Sequence, residues 1–276
     1  MRKEIVRQES GNVARTRREV TPPQISPRLL RFFGHYAASY LARHFHSLRL
    51  LKNSAPPVCE GMPLVVYLNH SSWWDPLVSL LLARRFFPPR QSFGPIDAAA
   101  LGRYRFFERL GFFGVETGSR AGAENFLATA TAILRSEKNA LWITPQGEFA
   151  DFHARPVQLM SGLSHLTKHV ERAAFLPLAI QYVFWEERLP EILLGFGEPI
   201  IFRTEARMTT TDATQLFASA LAAVQDHLAD ASARRDSDEW RIVLEGRAGV
   251  NAFYDLWRQT RARLRGEKFD PSHSGL

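Results

Sequence analysis

Short apolar runs alternate with helix-like segments through most of the chain, and this alternation limits the fold more than any other feature of the sequence. Short apolar runs bounded by turn residues favour buried strands, and a sheet of such strands with helices between them is an α/β fold. The predicted strands are Pro63–Asn69, Gln91–Ile96, Phe112–Glu116, Ala140–Thr144, Phe175–Phe184 and Ile192–Phe202. The predicted helices are Asp75–Phe87, Ala98–Leu110, Ala121–Ser136, Val157–Val170 and the ranges 211–232 and 238–265.

The net positive charge of the chain comes from its first 52 residues. The net charge is +7, yet residues 1–52 contain eleven Lys or Arg and three Glu, whereas the other 224 residues contain 24 basic and 25 acidic side chains. A nucleic-acid-binding body would carry its own basic surface. We therefore expect no nucleic-acid partner, and we expect the basic segment to meet another anionic surface.

The sequence also limits where the protein is expected to act. It has no run of roughly 20 apolar residues, the length that a membrane-spanning helix needs. The first twenty residues are charged throughout and lack the apolar stretch of a secretory signal. With a single cysteine, Cys59, an internal disulfide is not possible. These features predict a peripheral protein on the cytoplasmic side of a membrane.

A basic amphipathic helix is predicted near the start of the chain. Ser26 and Pro27 have the pattern of a helix N-terminus, and apolar residues recur at near-helical spacing from Arg28 to Lys52. Such a helix suits anionic headgroups, so a membrane surface is predicted to bind through residues 26–52. The alternative is a helix that packs its apolar side on the body. The opposite side is formed by Arg28, Arg31, His35, Ser39, Ala42, His46 and Arg49.

The segment Asn69–Asp75 contains the residues with the clearest chemical potential. Its strand delivers His70 at the carboxyl end, where α/β proteins place functional groups, and Asp75 opens the next helix. A tight turn would let Asp75 orient one ring nitrogen of His70 and leave the other as a base. Ser71 and Ser72 are not evidently placed as nucleophiles. A helix-capping Asp beside a structural His is the alternative interpretation.

Four ordered blocks resemble the glycerolipid and lysophospholipid acyltransferase superfamily. The first block, Asn-His-x4-Asp, is matched by Asn69, His70 and Asp75. The other three blocks, in chain order, are 110–119, 143–148 and 175–180. The resemblance covers roughly residues 60–205 and implies a mixed sheet flanked by helices. It divides the chain into a mobile basic arm (1–24), an amphipathic membrane-associating helix (25–55) and an acyltransferase domain (56–276), whose part 206–276 is helical.

The resemblance implies transfer of a fatty acyl group from acyl-CoA or acyl carrier protein to a hydroxyl or amine of a lipid-like acceptor. His70 is then the general base and Asp75 orients it. No metal and no further cofactor is implied. Backbone N–H groups near Gly147 are candidate donors to the attacked carbonyl oxygen. The residues expected to contact substrate are Asn69, Trp73, Trp74, Thr117, Arg120, Pro145, Gln146, Gly147, Glu148 and Arg155.

Three positions depart from the family pattern and bear on the acceptor. Thr117 and Phe149 stand where family members that use phosphorylated acceptors carry arginine, and Gln146 stands in place of glutamate. Loss of arginine removes a bidentate phosphate contact. Arg120 and Arg155 lie within a few residues and are the cations available to replace it. The acceptor is therefore expected to have a neutral, sugar-like or amine head.

Two other classes of function are compatible with the sequence. A non-catalytic membrane- or lipid-binding relative would use the basic helix without the His70–Asp75 pair. A thioester or ester hydrolase would use His70 to activate water instead of an acceptor. The change to Gln146 also leaves an inactive relative as an option.

Overall fold

The computed structural model describes residues 20–56, 59–203 and 208–247, which form an α/β fold around one mixed sheet. The strand order in the sheet is β4-β3-β5-β2-β6-β7-β1-β9, and β8 pairs with β6 beside β7. The strands are β1 (Ser47–Leu51), β2 (Leu64–Leu68), β3 (Gln91–Asp97), β4 (Phe112–Val115), β5 (Asn139–Ile143), β6 (Arg172–Val183), β7 (Glu191–Phe196), β8 (Ile200–Arg203) and β9 (Trp240–Glu245). The α-helices are α1 (Pro27–His44), α2 (Asp75–Phe86), α3 (Ala98–Arg103), α4 (Arg120–Ile133), α5 (Gly162–Leu166) and α6 (Thr210–Arg234).

The direction of the strands determines where a site can form. Strands β4, β3, β5, β2 and β6 are parallel, and β7 is antiparallel to β6. The carboxyl ends of the five parallel strands therefore share one edge of the sheet with the amino end of β7. Parallel sheets bind ligands at this edge.

Helices cover both faces of the sheet, which explains why its central strand is apolar throughout. On one face, Leu64, Val66 and Leu68 of β2 pack in a cluster that includes side chains of α1 and α2. On the other face, Val65 and Tyr67 pack in a cluster that includes side chains of α4, α5 and α6. All five residues of β2 are buried, as expected for a strand covered on both faces.

The predicted helix over Arg28–Lys52 is wrong at its carboxyl end. The helix ends at His44, the backbone is extended at Phe45, and residues Ser47–Leu51 form β1. This strand lies between β7 and β9 and is buried on both faces. Buried strands of this kind lack the alternation that distinguishes them from a helix.

Other boundaries also differ from the prediction. The predicted strand Ile192–Phe202 is interrupted after Phe196, and its halves become β7 and β8, which pair with different parts of β6. The helix expected over 238–265 is a strand, β9, at residues 240–245, and its remainder from 248 lies outside the described residues. The helix expected over 157–170 is limited to α5, and the helix over 98–110 gives way to a 3-10 turn at Arg105–Leu110.

The predicted basic arm and amphipathic helix lie only partly within the described residues. Residues 1–19 of the predicted basic arm lie outside the described residues. The α1 helix does start as predicted, because the Ser26 side chain accepts a hydrogen bond from the backbone N–H of Leu29 and Pro27 opens the helix. No helix within the described ranges is both long and apolar enough to cross a bilayer.

Candidate active site

His70 and Asp75 meet at the carboxyl edge of the sheet. His70 follows β2, the chain turns, and Asp75 is the first residue of α2. The Nδ1 atom of His70 lies 2.8 Å from Oδ2 of Asp75. The Asp75 side chain is 1% exposed and that of His70 is 20% exposed. Since an ionised carboxylate only accepts hydrogen bonds, the proton of the imidazole lies on Nδ1 and leaves Nε2 as a basic lone pair.

The Asp75 carboxylate accepts hydrogen bonds from two other groups. The backbone N–H of Ser72 donates to Oδ2 at 3.1 Å, and the Tyr182 hydroxyl donates to Oδ1 at 2.6 Å. Burial, together with the adjacent Asp75 charge, raises the pKa of Tyr182 well above its usual value, so Tyr182 remains a donor. The contact of Tyr182 with Asp75 was not predicted from the sequence, because it forms only when β6 pairs with β2.

Asn69 supports this turn and does not line the cavity beside it. It is 1% exposed, and its amide exchanges two hydrogen bonds with the backbone of Ile180 in β6. Its Nδ2 also donates to the Ser71 hydroxyl at 2.8 Å. The side-chain polar atoms of Asn69, which was expected to contact substrate, are thus bound within the protein.

A loop after β5 holds the backbone of His70 on both sides. The N–H of His70 donates to Oε1 of Gln146 at 2.6 Å, and its carbonyl accepts from the N–H of Ala150 at 2.8 Å. Gln146, which stands in place of the glutamate of the family pattern, thus holds the backbone of His70. Its amide oxygen accepts this hydrogen bond as a carboxylate oxygen would.

The backbone N–H groups near Gly147, which are the expected donors to the attacked carbonyl oxygen, differ in whether they are already bound. Gly147 has φ +76°, and its own N–H donates to the Thr144 carbonyl at 3.2 Å, so that N–H is occupied by the turn. The N–H groups of the next two residues, Glu148 and Phe149, have no partner among the described residues. They are the donors nearest in the chain that remain available for a carbonyl oxygen.

A cavity of about 920 Å³ extends from His70 and Asp75 along α2, β3 and β4. Its size is in the range of pockets that enclose small ligands, and most of its lining is apolar. Four predicted contact residues line it, namely Thr117, Arg120, Pro145 and Gly147. The lining does not include Trp73, Trp74, Gln146, Glu148 or Arg155.

The two tryptophans, which were expected to contact substrate, pack toward α1. The Trp74 ring packs against Tyr40 and Phe45 at centroid distances of 5.3 and 4.9 Å. Trp73 stacks on Trp74 at 4.2 Å and is 56% exposed. Both rings therefore join the turn between His70 and Asp75 to α1.

Neither candidate cation is placed as a free phosphate ligand. Arg155 donates to the carbonyls of Phe152 and Ala154 and pairs with Asp226 of α6. Arg120 lines the cavity, but its side chain is 92% exposed and pairs with Glu124 at 2.9 Å.

An exposed aromatic ring lies directly beside the base. Phe149 is 62% exposed, and its ring centroid is 4.4 Å from that of His70. Besides Asp75, the cavity wall contains three acidic residues, Asp97, Glu116 and Glu124. Its described residues include a single Lys or Arg, Arg120. The site is thus aromatic and weakly acidic where a phosphate-binding site would be basic.

The fold of the described residues is similar to that of a protein of known structure. The structure is similar to the crystal structure of the 1-acyl-sn-glycerophosphate (LPA) acyltransferase PlsC from Thermotoga maritima, with a TM-score of 0.51 and 12% sequence identity. The similarity covers 76% of this chain and 81% of that chain, so it confirms the predicted fold class. No model of a known protein family and no curated protein matches the sequence.

Proposed function

We propose that this protein transfers a fatty acyl group from an acyl thioester to a hydroxyl or amine of a lipid-like acceptor. The observation that carries the proposal is the His70–Asp75 pair at a mostly apolar cavity. An apolar cavity suits an acyl chain because burial of each methylene is favourable by about 0.8 kcal/mol. The acyltransferase fold supports the same class of reaction.

His70 is the general base of the proposed reaction. The acceptor O–H or N–H gives its proton to Nε2 of His70 while the acceptor atom bonds to the thioester carbon. The carbonyl electron pair moves to oxygen, where the N–H groups of Glu148 and Phe149 are the proposed donors. The C–S bond then breaks, the sulfur takes the proton from His70, and the products are an ester or amide and a free thiol. Asp75 stabilises the imidazolium that forms between these steps.

The acceptor is proposed to have an uncharged or amine head and not a phosphate. Phe149 beside His70 offers a ring face, and Thr117 in the cavity wall is uncharged. Arg120 is already paired with Glu124, and Arg155 with Asp226. Among the described residues of the cavity wall, a phosphate near His70 would therefore meet several carboxylates and no unpaired Lys or Arg.

A membrane surface is proposed as a partner of α1. One side of α1, with Ala37 and Leu41, is buried against the body. For this side, the alternative prediction of a helix packed on the body holds. The opposite side remains exposed and is basic, and Phe32 on it is 69% exposed. Cationic groups around an exposed aromatic ring suit an interface with anionic lipid.

The aromatic surface continues from α1 to the catalytic turn. A row of ring contacts, each with a centroid distance of 6.4 Å or less, joins Trp73, Tyr40, Tyr36, Phe33 and Phe106. A membrane that binds α1 would thus lie close to the site. We propose a peripheral location on the cytoplasmic side of the membrane.

Thiol release from long-chain acyl-CoA, with and without a total lipid extract, tests the proposed function. Wild type is compared with His70→Ala and with His169→Ala, a control that removes an exposed histidine. Release that requires lipid and disappears only in His70→Ala supports the transferase. Release without lipid identifies a hydrolase. If no release occurs with acyl-CoA or with acyl carrier protein as donor, the protein is a binding relative.

A further inference from the structure

The two oxygens of Asp75 have different partners. Oδ2 receives His70 Nδ1 at 2.8 Å and the backbone N–H of Ser72 at 3.1 Å, whereas Oδ1 receives the Tyr182 hydroxyl at 2.6 Å. Because the carboxylate is 1% exposed, the protein supplies these donors in place of water. Tyr182 is partly buried, packs beside Phe45, and is absent from the cavity lining.

We propose that Tyr182 is a positioning residue that sets the basicity of His70 through Asp75. Its hydrogen bond occupies Oδ1 and leaves Oδ2 to orient the imidazole. It also draws negative charge away from the oxygen that His70 contacts. This inference rests on the proposed role of His70 as the base.

The direction of the effect follows from the charge of the pair. His70 with ionised Asp75 has a net charge of −1, and uptake of one proton makes the pair neutral. A hydroxyl donor stabilises the charged state more than the neutral state. Removal of the Tyr182 hydroxyl therefore raises the pKa at which the pair takes up its proton, and the base is lost at a higher pH.

Other titratable groups near the pair are the same with and without the hydroxyl. They are His44 and Tyr40 of α1, which contact the Trp74 ring next to Asp75 in the chain. Their influence cancels when two variants are compared, so a difference reports Tyr182 itself.

The test compares Tyr182→Phe with Tyr67→Phe. Tyr67 is a matched control because it is fully buried in the adjacent strand and its hydroxyl has no partner among the described residues. For Tyr182→Phe we expect a kcat lower by about tenfold on the acid limb of the pH profile, because a pKa higher by one unit leaves about a tenth as much His70 unprotonated there. The KM values should not change, and the acid limb of the pH profile of kcat should move to higher pH.

A second measurement does not depend on activity. The His70 ring is titrated by NMR in the ligand-free full chain, and its resonance is assigned by comparison with His70→Gln. In Tyr182→Phe the midpoint should rise by about one pH unit, and in Tyr67→Phe it should stay at the wild-type position. If no acyl transfer is found but the midpoint rises, the proposed function fails while the influence of Tyr182 on His70 stands.

A variant of nearly the same shape covers the case in which Tyr182→Phe does not fold. Incorporation of 3-fluorotyrosine at position 182 makes the hydroxyl a stronger donor, so the midpoint of His70 should move down. An unchanged midpoint in a folded variant, or an unchanged pH profile with an unchanged kcat, would overturn the proposal.

Discussion

The side-chain amide of Asn69 pairs with the backbone of Ile180 as a neighbouring strand would. Its Nδ2 donates to the Ile180 carbonyl at 2.9 Å, and its Oδ1 accepts from the Ile180 N–H at 2.8 Å. The parallel pairing of β2 with β6 ends at Leu68 and Leu178, so the amide extends the ladder as the chain turns toward His70. Asn69 thereby fixes the start of the catalytic turn.

Replacement of Asn69 should destabilise the fold. In Asn69→Ala the N–H and C=O of Ile180 lose their partners, and each buried group left without one costs about 1–3 kcal/mol. Chemical denaturation should show this loss. Asn125→Ala is the control, because Asn125 is exposed and makes one longer bond, 3.3 Å, to a carbonyl. Equal stabilities of the two variants would contradict the bridging role.

The residue at position 146 should matter through its acceptor oxygen and not through its charge. Gln146→Glu keeps an oxygen opposite the His70 N–H and should retain activity, whereas Gln146→Met removes it. The unpaired N–H then loosens the turn, and we expect kcat to fall by about tenfold, since small misplacement of a catalytic group is costly. Steady-state thiol release measures both variants. Wild-type kcat in Gln146→Met would show that the anchor is dispensable.

Gly147 should be sensitive to a methyl group for two separable reasons. Its φ of +76° disfavours alanine by about 1–2 kcal/mol. The added Cβ would also collide with Sδ of Met160 and push that side chain, which lines the cavity. Gly118→Ala is the control, since Gly118 has φ +79° and no heavy atom within 4 Å of the new Cβ.

Both alanine variants should lose similar stability, but only Gly147→Ala should raise KM for long acyl donors. Adding Met160→Ala to Gly147→Ala should restore KM, because the displaced side chain is gone. Equal KM values in the two single variants would show that Met160 does not move into the path of the donor.

The contact between His70 and Asp75, the proposed catalytic pair, was predictable from the sequence because it is local. The strand end at Leu68, the turn and the helix start at Asp75 lie within eight residues, so the pattern alone brings His70 and Asp75 together. Tyr182 and Ile180 are more than 100 positions away from their partners, at separations of 107 and 111. Their roles depend on which strand lies beside β2, and that order is set by packing of the whole sheet.

The errors in the predicted elements have a related cause. β1 and β9 were expected to be helical, yet β1 is buried on both faces between its neighbours, where apolar spacing no longer separates strand from helix. Arg155 was expected near substrate because it follows the third block, but Asp226, which binds it, lies 71 positions further along. The position of Arg155 in the sequence therefore gave no indication that Asp226 would bind its side chain.

An arginine at position 149 should shift the acceptor preference toward phosphate. Phe149→Arg places a guanidinium beside His70, where the ring centroids are now 4.4 Å apart. A charge-assisted bond to phosphate should improve kcat/KM for lysophosphatidic acid by about tenfold or more and lower it for an uncharged acceptor. Phe184→Arg is the control, since Phe184 is 68% exposed and away from the cavity. An unchanged ratio of the two acceptors would show that Phe149 does not face the acceptor head.

Charge reversal on α1 should weaken membrane binding. Arg28 and Arg31 are exposed on the side that holds Phe32, so Arg28→Glu with Arg31→Glu should reduce binding to vesicles that contain anionic lipid. A basic residue near such a surface contributes about 1 kcal/mol, and reversal of two should therefore lower the partition coefficient by at least tenfold. The matched control is Arg172→Glu with Arg203→Glu, two exposed residues paired across β6 and β8. Both variants change the net charge equally, so a loss restricted to the α1 variant assigns binding to this helix. Equal loss in both would mean that overall charge, and not α1, governs association.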